Sequence, residues 1–503
     1  MQRDISKFTH GTYDVLVIGG GINGAAIAHL AALNGLKTAL LEKNDFASGT
    51  SSKSTKLIHG GLRYLENLEF GLVREALKER SIQLKAAPHL VKPLSFVIPV
   101  YQKDKRPLWL MKLGVFIYDF LCGPYLIKRH RFLATEEVCR QVSGIKREGL
   151  LGGIMYYDAQ MDDARLCLEN VLSAQAHGAH TANYVEVKSF IKKDGKAAGV
   201  RALDALTGKE FDVYARRIVC AVGPWTNLLM QKEEGKAAPM VRATKGVHVV
   251  CRGQVSPHAL IIPTPKDNRF FFIIPWMGNS LIGTTDTDYS GSPDEVGVDQ
   301  EDVDYLFREL RRVFPEEVFK KEKIITMFSG LRPLMYRAGR PEDVSRKHVI
   351  RESYSGVLYV LGGKYTTYRK IAEDCVNGIL RPRPIVDTER TFKVYGSGPI
   401  EEKAADAAQQ YGVPTETVQY LMDFYGARYK DVLDLIHHEK GLAQPICSCS
   451  PVIHAQILYA IKVEMARTEE DIYKRRLPLI FKECKTGHCR KEIQRMVSKI
   501  KIL

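Results

Sequence analysis

Near its N-terminus the chain reads Gly19-Gly20-Gly21-Ile22-Asn23-Gly24, and this run constrains the fold more than any other feature. Ahead of it, Tyr13-Asp14-Val15-Leu16-Val17-Ile18 is short, apolar and partly β-branched, as expected of a buried parallel strand. Behind it, Ala25 to Gly35 has helical composition, and Lys37 to Glu42 reads as a second strand ending in an acid. Strand, glycine turn, helix and strand form one βαβ unit. The spacing Gly19-x-Gly21-x-x-Gly24 has a physical basis. Gly19 permits the tight turn, Gly21 lets backbone approach a pyrophosphate, and Gly24 lets helix and strand pack closely. The helix N-terminus offers free N–H groups and partial positive charge to phosphates. Glu42, 18 residues past Gly24, is placed to accept hydrogen bonds from a ribose. A carboxylate there disfavours a 2′-phosphate, which leaves NAD and FAD.

Two later segments favour FAD. Arg217 to Trp225 (Arg-Ile-Val-Cys-Ala-Val-Gly-Pro-Trp) is a strand ending in small residues, with Gly223 where the chain would return to the cofactor. Tyr359-Val360-Leu361-Gly362-Gly363-Lys364 is another strand followed by a glycine turn. A single NAD half-domain needs neither.

The chain has 503 residues, 45% hydrophobic and 26% charged, which excludes disorder, collagen and a disulfide-stapled miniprotein. Its length predicts about three domains. The segment Met1 to Thr12 is polar and without an apolar h-region, so no secretory signal is expected. The 10 Cys are then expected as thiols or metal ligands in a reducing compartment. No uninterrupted apolar stretch of ~18 residues predicts a spanning helix. Residues 181–222 and 245–285 are strand-rich, and 401–503 are helical in pattern. The Arg381-Pro382-Arg383-Pro384 stretch marks a boundary. This predicts interleaved nucleotide-binding and substrate-binding domains over 1–390, with a substrate sheet drawn largely from 85–130 and 225–350. A helical domain follows over 391–503.

Residues 50–69, with Ala221-Val222-Gly223-Pro224-Trp225, Lys245-Gly246-Val247-His248, Ile274-Pro275-Trp276-Met277, Gly283-Thr284-Thr285-Asp286, Ser329-Gly330-Leu331-Arg332-Pro333 and Gly362 to Lys370, resemble the FAD-dependent, aerobic-type glycerol-3-phosphate dehydrogenases. The resemblance runs from about residue 12 to 480. It implies an α/β fold: a Rossmann-like FAD-binding domain of glutathione-reductase type, an antiparallel substrate-binding sheet and a C-terminal helical cap. It also implies oxidation of sn-glycerol 3-phosphate to dihydroxyacetone phosphate, with hydride passing to flavin N5 and electrons to membrane quinone. By the same resemblance, Arg63, Arg332 and Lys364 meet a phosphate dianion, and Tyr64 and Thr284 supply hydroxyls. His248 takes the hydroxyl proton as an imidazole near its natural pKa, or Arg332 or Lys364 stabilises a developing alkoxide. Ser51, Ser52 and Lys53 touch the FAD phosphates or ribityl chain, and His59-Gly60-Gly61 run beneath the flavin.

Two features depart from or extend that pattern. Cys447-x-Cys449, followed about 35 residues later by Cys484-x4-Cys489, is a four-thiolate set that resembles the small [2Fe–2S] domain of the anaerobic relatives. It suits such a cluster or tetrahedral zinc. The second feature is charge. The net +15 has three readings: nucleic acid, an anionic membrane surface or an anionic substrate. Residues 50–131 hold 15 Lys and Arg against 6 Asp and Glu. Within them Leu108 to Ile127 is nearly apolar, with Trp109, Leu113, Phe116, Ile117 and Phe120 on one helical face. Lys103, Lys105 and Arg106 precede it, and Lys128, Arg129 and Arg131 follow. An apolar helix with basic flanks predicts a peripheral protein on the inner face of the cytoplasmic membrane. No aromatic–basic stripe of the single-strand binders is present, so no nucleic-acid partner is expected. A homodimer is an expectation. The competing reactions are an oxidase of the same substrate using oxygen and an FAD amine or hydroxy-acid oxidoreductase.

Overall fold

The computed structural model describes residues 3–235, 238–264, 269–336, 347–439, 441–484 and 487–501. The predicted βαβ unit is present: strand Thr12–Ile18, helix Ile22–Leu33 and strand Thr38–Leu41. Strand Thr12–Ile18 lies at the centre of an eight-stranded sheet, parallel to Thr38–Leu41 on one side and Glu210–Cys220 on the other. Leu358–Leu361 and His180–Ala182 extend the parallel set at its two ends. An antiparallel hairpin, Val185–Lys193 and Lys196–Asp204, lies beside the first half of Glu210–Cys220. Its turn takes positive φ at Asp194 and Gly195, as a two-residue hairpin requires. Helices Ile22–Leu33, Asp163–Ala176 and Tyr368–Leu380 cover one face of this sheet. Ile22–Leu33 is buried nearly all round because it is sandwiched between sheet and helices, and its residues are accordingly Ala, Ile and Leu.

The second sheet has ten strands, mostly antiparallel, and forms the floor of the site. The predicted spans 85–130 and 225–350 supply most of it, apart from 236–237, 265–268 and 337–346, which lie outside the described residues. They do not supply its longest central members alone. Leu150–Met161 pairs with Val91–Tyr101 along its whole length. Its sequence, opening Leu-Leu-Gly-Gly, hides this strand from pattern reading, since paired glycines break the alternation. Both faces are covered. Helix Gln300–Val313 packs on Val247, Val249, Leu260 and Ile273. Helices Phe70–Ala86 and Leu108–Cys122 pack on Phe96, Ile98, Val250 and Ile261. Side chains alternate along a strand, so Gly246 and His248 share the Val250 face of Val241–Cys251.

Phe392 and Val394 still pack into the first core, whereas the helical domain builds its own from Ala407 to Val497. Its attachment is ionic as well as apolar. Asp45 accepts from Arg475 Nε at 2.6 Å and from Arg476 Nη1 at 2.6 Å and Nη2 at 2.7 Å, all within the interior. The two guanidinium groups hold the Asp45 carboxyl at about 2 against the cost of its burial.

Candidate active site

A cavity of about 830 Å³ runs from the glycine turn to the floor of the second sheet, near the upper end of the range for ligand sites. Of the residues singled out in the sequence, Gly19, Gly21, Glu42, Ser51, Lys53, His59, Gly61, Arg63, Tyr64, Gly223, His248, Thr284, Arg332, Gly363 and Lys364 line it. Gly24, Ser52 and Gly60 do not, each for a visible reason. A Cβ on Gly24 would run into the Gly19 carbonyl oxygen, so Gly24 serves helix–strand packing from below. Ser52 turns its carbonyl to Lys56 Nζ at 3.2 Å. Gly60 is held from beneath: its N–H donates to Tyr118 Oη at 2.9 Å, Tyr118 donates to Asp158 at 2.7 Å, and Arg80 Nη1 donates to Asp158 at 2.6 Å.

The nucleotide end fits a dinucleotide. Gly19 has φ +105°, and a Cβ there would lie 2.7 Å from the Ala221 carbonyl oxygen, so only glycine lets the turn pass this close to the end of strand Glu210–Cys220. Ser51 Oγ accepts from the Ile22 N–H at 2.9 Å, which brings its hydroxyl onto the N-terminus of the nucleotide helix. Glu42, expected as a ribose acceptor, has a second task as well. Its two oxygens take the Gly20 N–H at 2.6 Å and the Asn44 N–H at 2.8 Å, so it fixes the glycine turn while still lining the cavity. Lys43 and Trp225 converge on Asp294, through Nζ at 2.6 Å and Nε1 at 3.0 Å, as part of the same wall. These cradle positions fit FAD, the group implied by the sequence.

The other end is cationic. Arg63 projects from the turn Leu62–Leu65, entered through Gly61 at φ +82°. Lys364 Nζ donates to the Gly60 carbonyl at 3.3 Å and sits 4.6 Å above the Tyr64 ring. Arg332 Nη2 donates to Thr284 Oγ1 at 2.8 Å, and Nη1 to Asp286 at 3.1 Å. Arg269 lines the same cavity and donates from Nη1 to the Asp286 carbonyl at 3.2 Å. Sequence reading missed Arg269. Its only local signal is a charge opening the apolar run Phe270-Phe271-Phe272, and its meeting with Asp286 is a tertiary fact.

His248 corrects one expectation. It is buried, its ring stacks 5.0 Å from Phe328, and its Nε2 lies 3.0 Å from Thr55 Oγ1. Its Nδ1 has no hydrogen-bond partner among the described residues. Burial, reinforced by Arg332 and Lys56, pushes its pKa well below the usual histidine range rather than leaving it there. The imidazole is therefore neutral at physiological pH.

Comparison with known proteins agrees with this geometry. Residues 14–369 match the FAD dependent oxidoreductase family, and 388–499 match the C-terminal domain of alpha-glycerophosphate oxidase. The chain is 38% identical over 502 residues to the glycerol-3-phosphate dehydrogenase of Synechocystis sp., covering 94% of this chain and 90% of the relative. It is 35% identical to the aerobic glycerol-3-phosphate dehydrogenase of Bacillus subtilis, covering 96% and 90%. The crystal structure of the glycerol-3-phosphate dehydrogenase from Bacillus halodurans complexed with FAD superposes with a TM-score of 0.81 at 30% identity, covering 99% of this chain and 92% of that one. With its nucleotide turn, its two-sheet architecture and its helical cap all shared with these relatives, the chain belongs to the FAD-dependent glycerol-3-phosphate dehydrogenase family.

Proposed function

We propose that this chain oxidises sn-glycerol 3-phosphate to dihydroxyacetone phosphate on FAD and passes the electrons to quinone in an anionic membrane. The observation that carries this reading is a single cavity with a dinucleotide cradle at one end and Arg63, Arg269, Arg332 and Lys364 gathered with a neutral histidine at the other. Cations in that number suit a phosphate dianion. They also disfavour an amine substrate, which would enter as a cation. When bound, FAD supplies the two-electron acceptor for the C2 hydride.

The chain's own groups do the rest. The guanidinium forks and Lys364 bind and orient the phosphate, which holds C2 at a fixed place in the cavity. Tyr64 and Thr284 present hydroxyls to the same end. His248, uncharged and so able to accept, takes the proton of the C2 hydroxyl; because burial leaves it a weak base, the step depends on its neighbour Arg332 stabilising the oxygen as negative charge grows there. Ser51 and the N–H groups at the N-terminus of helix Ile22–Leu33 would hold the pyrophosphate of FAD, and the turn clamped at Gly60 would carry residues toward the flavin.

Membrane docking rests on helix Leu108–Cys122. Trp109, Phe116 and Phe120 are 66%, 63% and 78% exposed, and Leu110 and Leu113 join them, while Met111, Val115, Tyr118 and Cys122 face the core. Lys103, Lys105, Lys128, Arg129 and Arg131 are exposed around this face. Arg106 is not among them: it is buried and donates to Glu66 at 2.5 and 2.8 Å. An apolar face ringed by cations complements an anionic headgroup layer. Among the described residues no helix is long and apolar enough to cross a membrane.

The test is anaerobic addition of glycerol 3-phosphate to the holoprotein, then of a quinone or of air. Flavin bleaching followed by rapid reoxidation by quinone is expected. Absence of bleaching refutes the substrate. Rapid reoxidation by air alone, with stoichiometric peroxide, replaces the quinone route by an oxidase.

A further inference from the structure

Outside the cavity, four sulfur atoms converge in the helical domain. The thiols of Cys447, Cys449, Cys484 and Cys489 all lie within 4.8 Å of one another. The Sγ separations are 3.2 Å between Cys447 and Cys449, 3.6 Å between Cys447 and Cys484, and 3.1 Å between Cys449 and Cys489. None of these is a disulfide, whose sulfurs stand ~2.05 Å apart. We propose that these four thiolates hold one tetrahedrally coordinated metal ion of the soft, zinc-like class, and that the ion clasps the helical domain to the wall behind His248.

The size of the sulfur cage favours one ion. With metal–sulfur bonds of ~2.3 Å, a tetrahedron places its sulfurs ~3.8 Å apart, in the middle of the range found here. A sulfide-bridged pair of irons holds its thiolates as two pairs on two metals, so the pairs spread further than a common 4.8 Å allows. A four-sulfur donor set is also wrong for magnesium or calcium, which take oxygen.

The local backbone supports thiolates. The Cys449 N–H points at Cys447 Sγ at 3.4 Å, a donor suited to a charged sulfur. The Gly487 N–H closes a turn onto the Cys484 carbonyl at 3.0 Å, and Gly487 has φ +63°. Cys489 then falls in the first turn of helix His488–Lys501, where the helix dipole favours negative charge. The other two ligands come from a loop closed by Ile446 N–H donating to the Val452 carbonyl at 2.9 Å. Segments separated by more than thirty residues thus meet at these sulfurs, at the core beneath them and through His454 Nε2 and Glu492, 2.7 Å apart.

The consequence for the site runs through Phe481. Its ring lies edge-on to Phe328 at 6.1 Å and to Trp276 at 6.0 Å, and Phe328 stacks on His248. Asn279 Nδ2 donates to the Phe481 carbonyl at 3.0 Å, and Lys482 Nζ to the Met277 carbonyl at 3.1 Å. Cys484 stands three residues beyond Phe481. An ion bound at Cys484 therefore anchors the strap that packs behind the histidine.

Elemental analysis of the full-length holoprotein, purified from zinc- and iron-supplemented medium, should give one metal ion per chain with no acid-labile sulfide. Cys449→Ser and Cys484→Ser should each lose most of that metal while keeping FAD. If either variant fails to fold, cobalt(II) exchanged into the parent protein should give the intense visible bands of a tetrahedral sulfur site. Stripping the ion should lower the Tm of the FAD-loaded protein by several degrees. Two irons with equimolar labile sulfide, or no metal and no cobalt bands, would overturn the single-ion site. An unchanged Tm after stripping would overturn the clasp.

Discussion

Gly246 offers a test of the cationic end that leaves every functional side chain in place. A Cβ at this position would lie 2.6 Å from Thr284 Oγ1 and 2.7 Å from Arg332 Cζ, where ordinary contact begins near 3.4 Å. Gly246→Ala therefore pushes the guanidinium, whose Nη2 is nearer still, by about 1 Å, because the strand beneath is fixed by pairing to Ser329, Gly330 and Leu331 and the Arg332 side chain gives way at the cost of its bond to Thr284. The backbone tolerates alanine, since Gly246 has no positive φ. A displacement of 1 Å at a substrate-orienting group costs on the order of 10²-fold, which is the loss predicted in kcat/KM. That corresponds to ~3 kcal/mol of transition-state stabilisation. Steady-state kinetics with glycerol 3-phosphate and an artificial acceptor measure it, alongside flavin content and Tm. Both of the latter should stay close to the parent, because the clash is with side-chain atoms at the cavity wall and not with backbone. A kcat/KM within threefold of the parent, with FAD intact, would show that Arg332 and Thr284 do not position the substrate.

The remaining predictions concern the membrane face and acid stability. Replacing Trp109 and Phe116 with Asp removes two exposed rings, worth ~3 kcal/mol together when buried in the headgroup layer, and adds like charge. Co-sedimentation with anionic vesicles should fall at least a hundredfold, and undiminished binding of the folded variant would clear this helix of the role. His29 is buried against Phe392, and burial pushes its pKa down to about 3. The unfolded chain takes a proton there below ~6.5 and the fold does not, so its share of stability is intact above that pH and drains away as pH falls toward 3. Between pH 6 and 5 the parent should lose roughly 1 kcal/mol more than His29→Gln in urea unfolding; parallel losses would contradict the burial argument. Asp162, raised to about 6 by burial, acts in the opposite sense in both proteins and cancels from the comparison.

What the sequence made legible was whatever depends on local spacing. The glycine turn, the strand and helix around it, and the Gly223 and Gly363 returns all read directly, because glycine placement reports backbone geometry at the residue itself. The strand Leu150–Met161 escaped, since its identity comes from pairing with Val91–Tyr101 rather than from its own alternation. Roles that depend on a distant partner were also hidden. That Glu42 also fixes the glycine turn shows only once the Gly20 and Asn44 N–H groups are seen on its two oxygens. Arg106 looks like a free flanking cation until Glu66 is seen beside it. The pKa of His248 is fixed by the depth at which Phe328 and Thr55 enclose it, and no motif encodes that depth. The four cysteines were legible as a set, but the size of their cage was not.

Helix Leu108–Cys122 looks in two directions at once. On its outer side stand Phe116 and Phe120; on its inner side the Tyr118 hydroxyl holds the Gly60 N–H and the Asp158 carboxylate. Between the cavity and whatever lies against the outer face stand this one helix and the Gly60 turn that it holds. Any tilt imposed on the helix from outside would reach Gly60 through the Tyr118 hydroxyl, so the proposed docking face and the proposed flavin support would share one mechanical part.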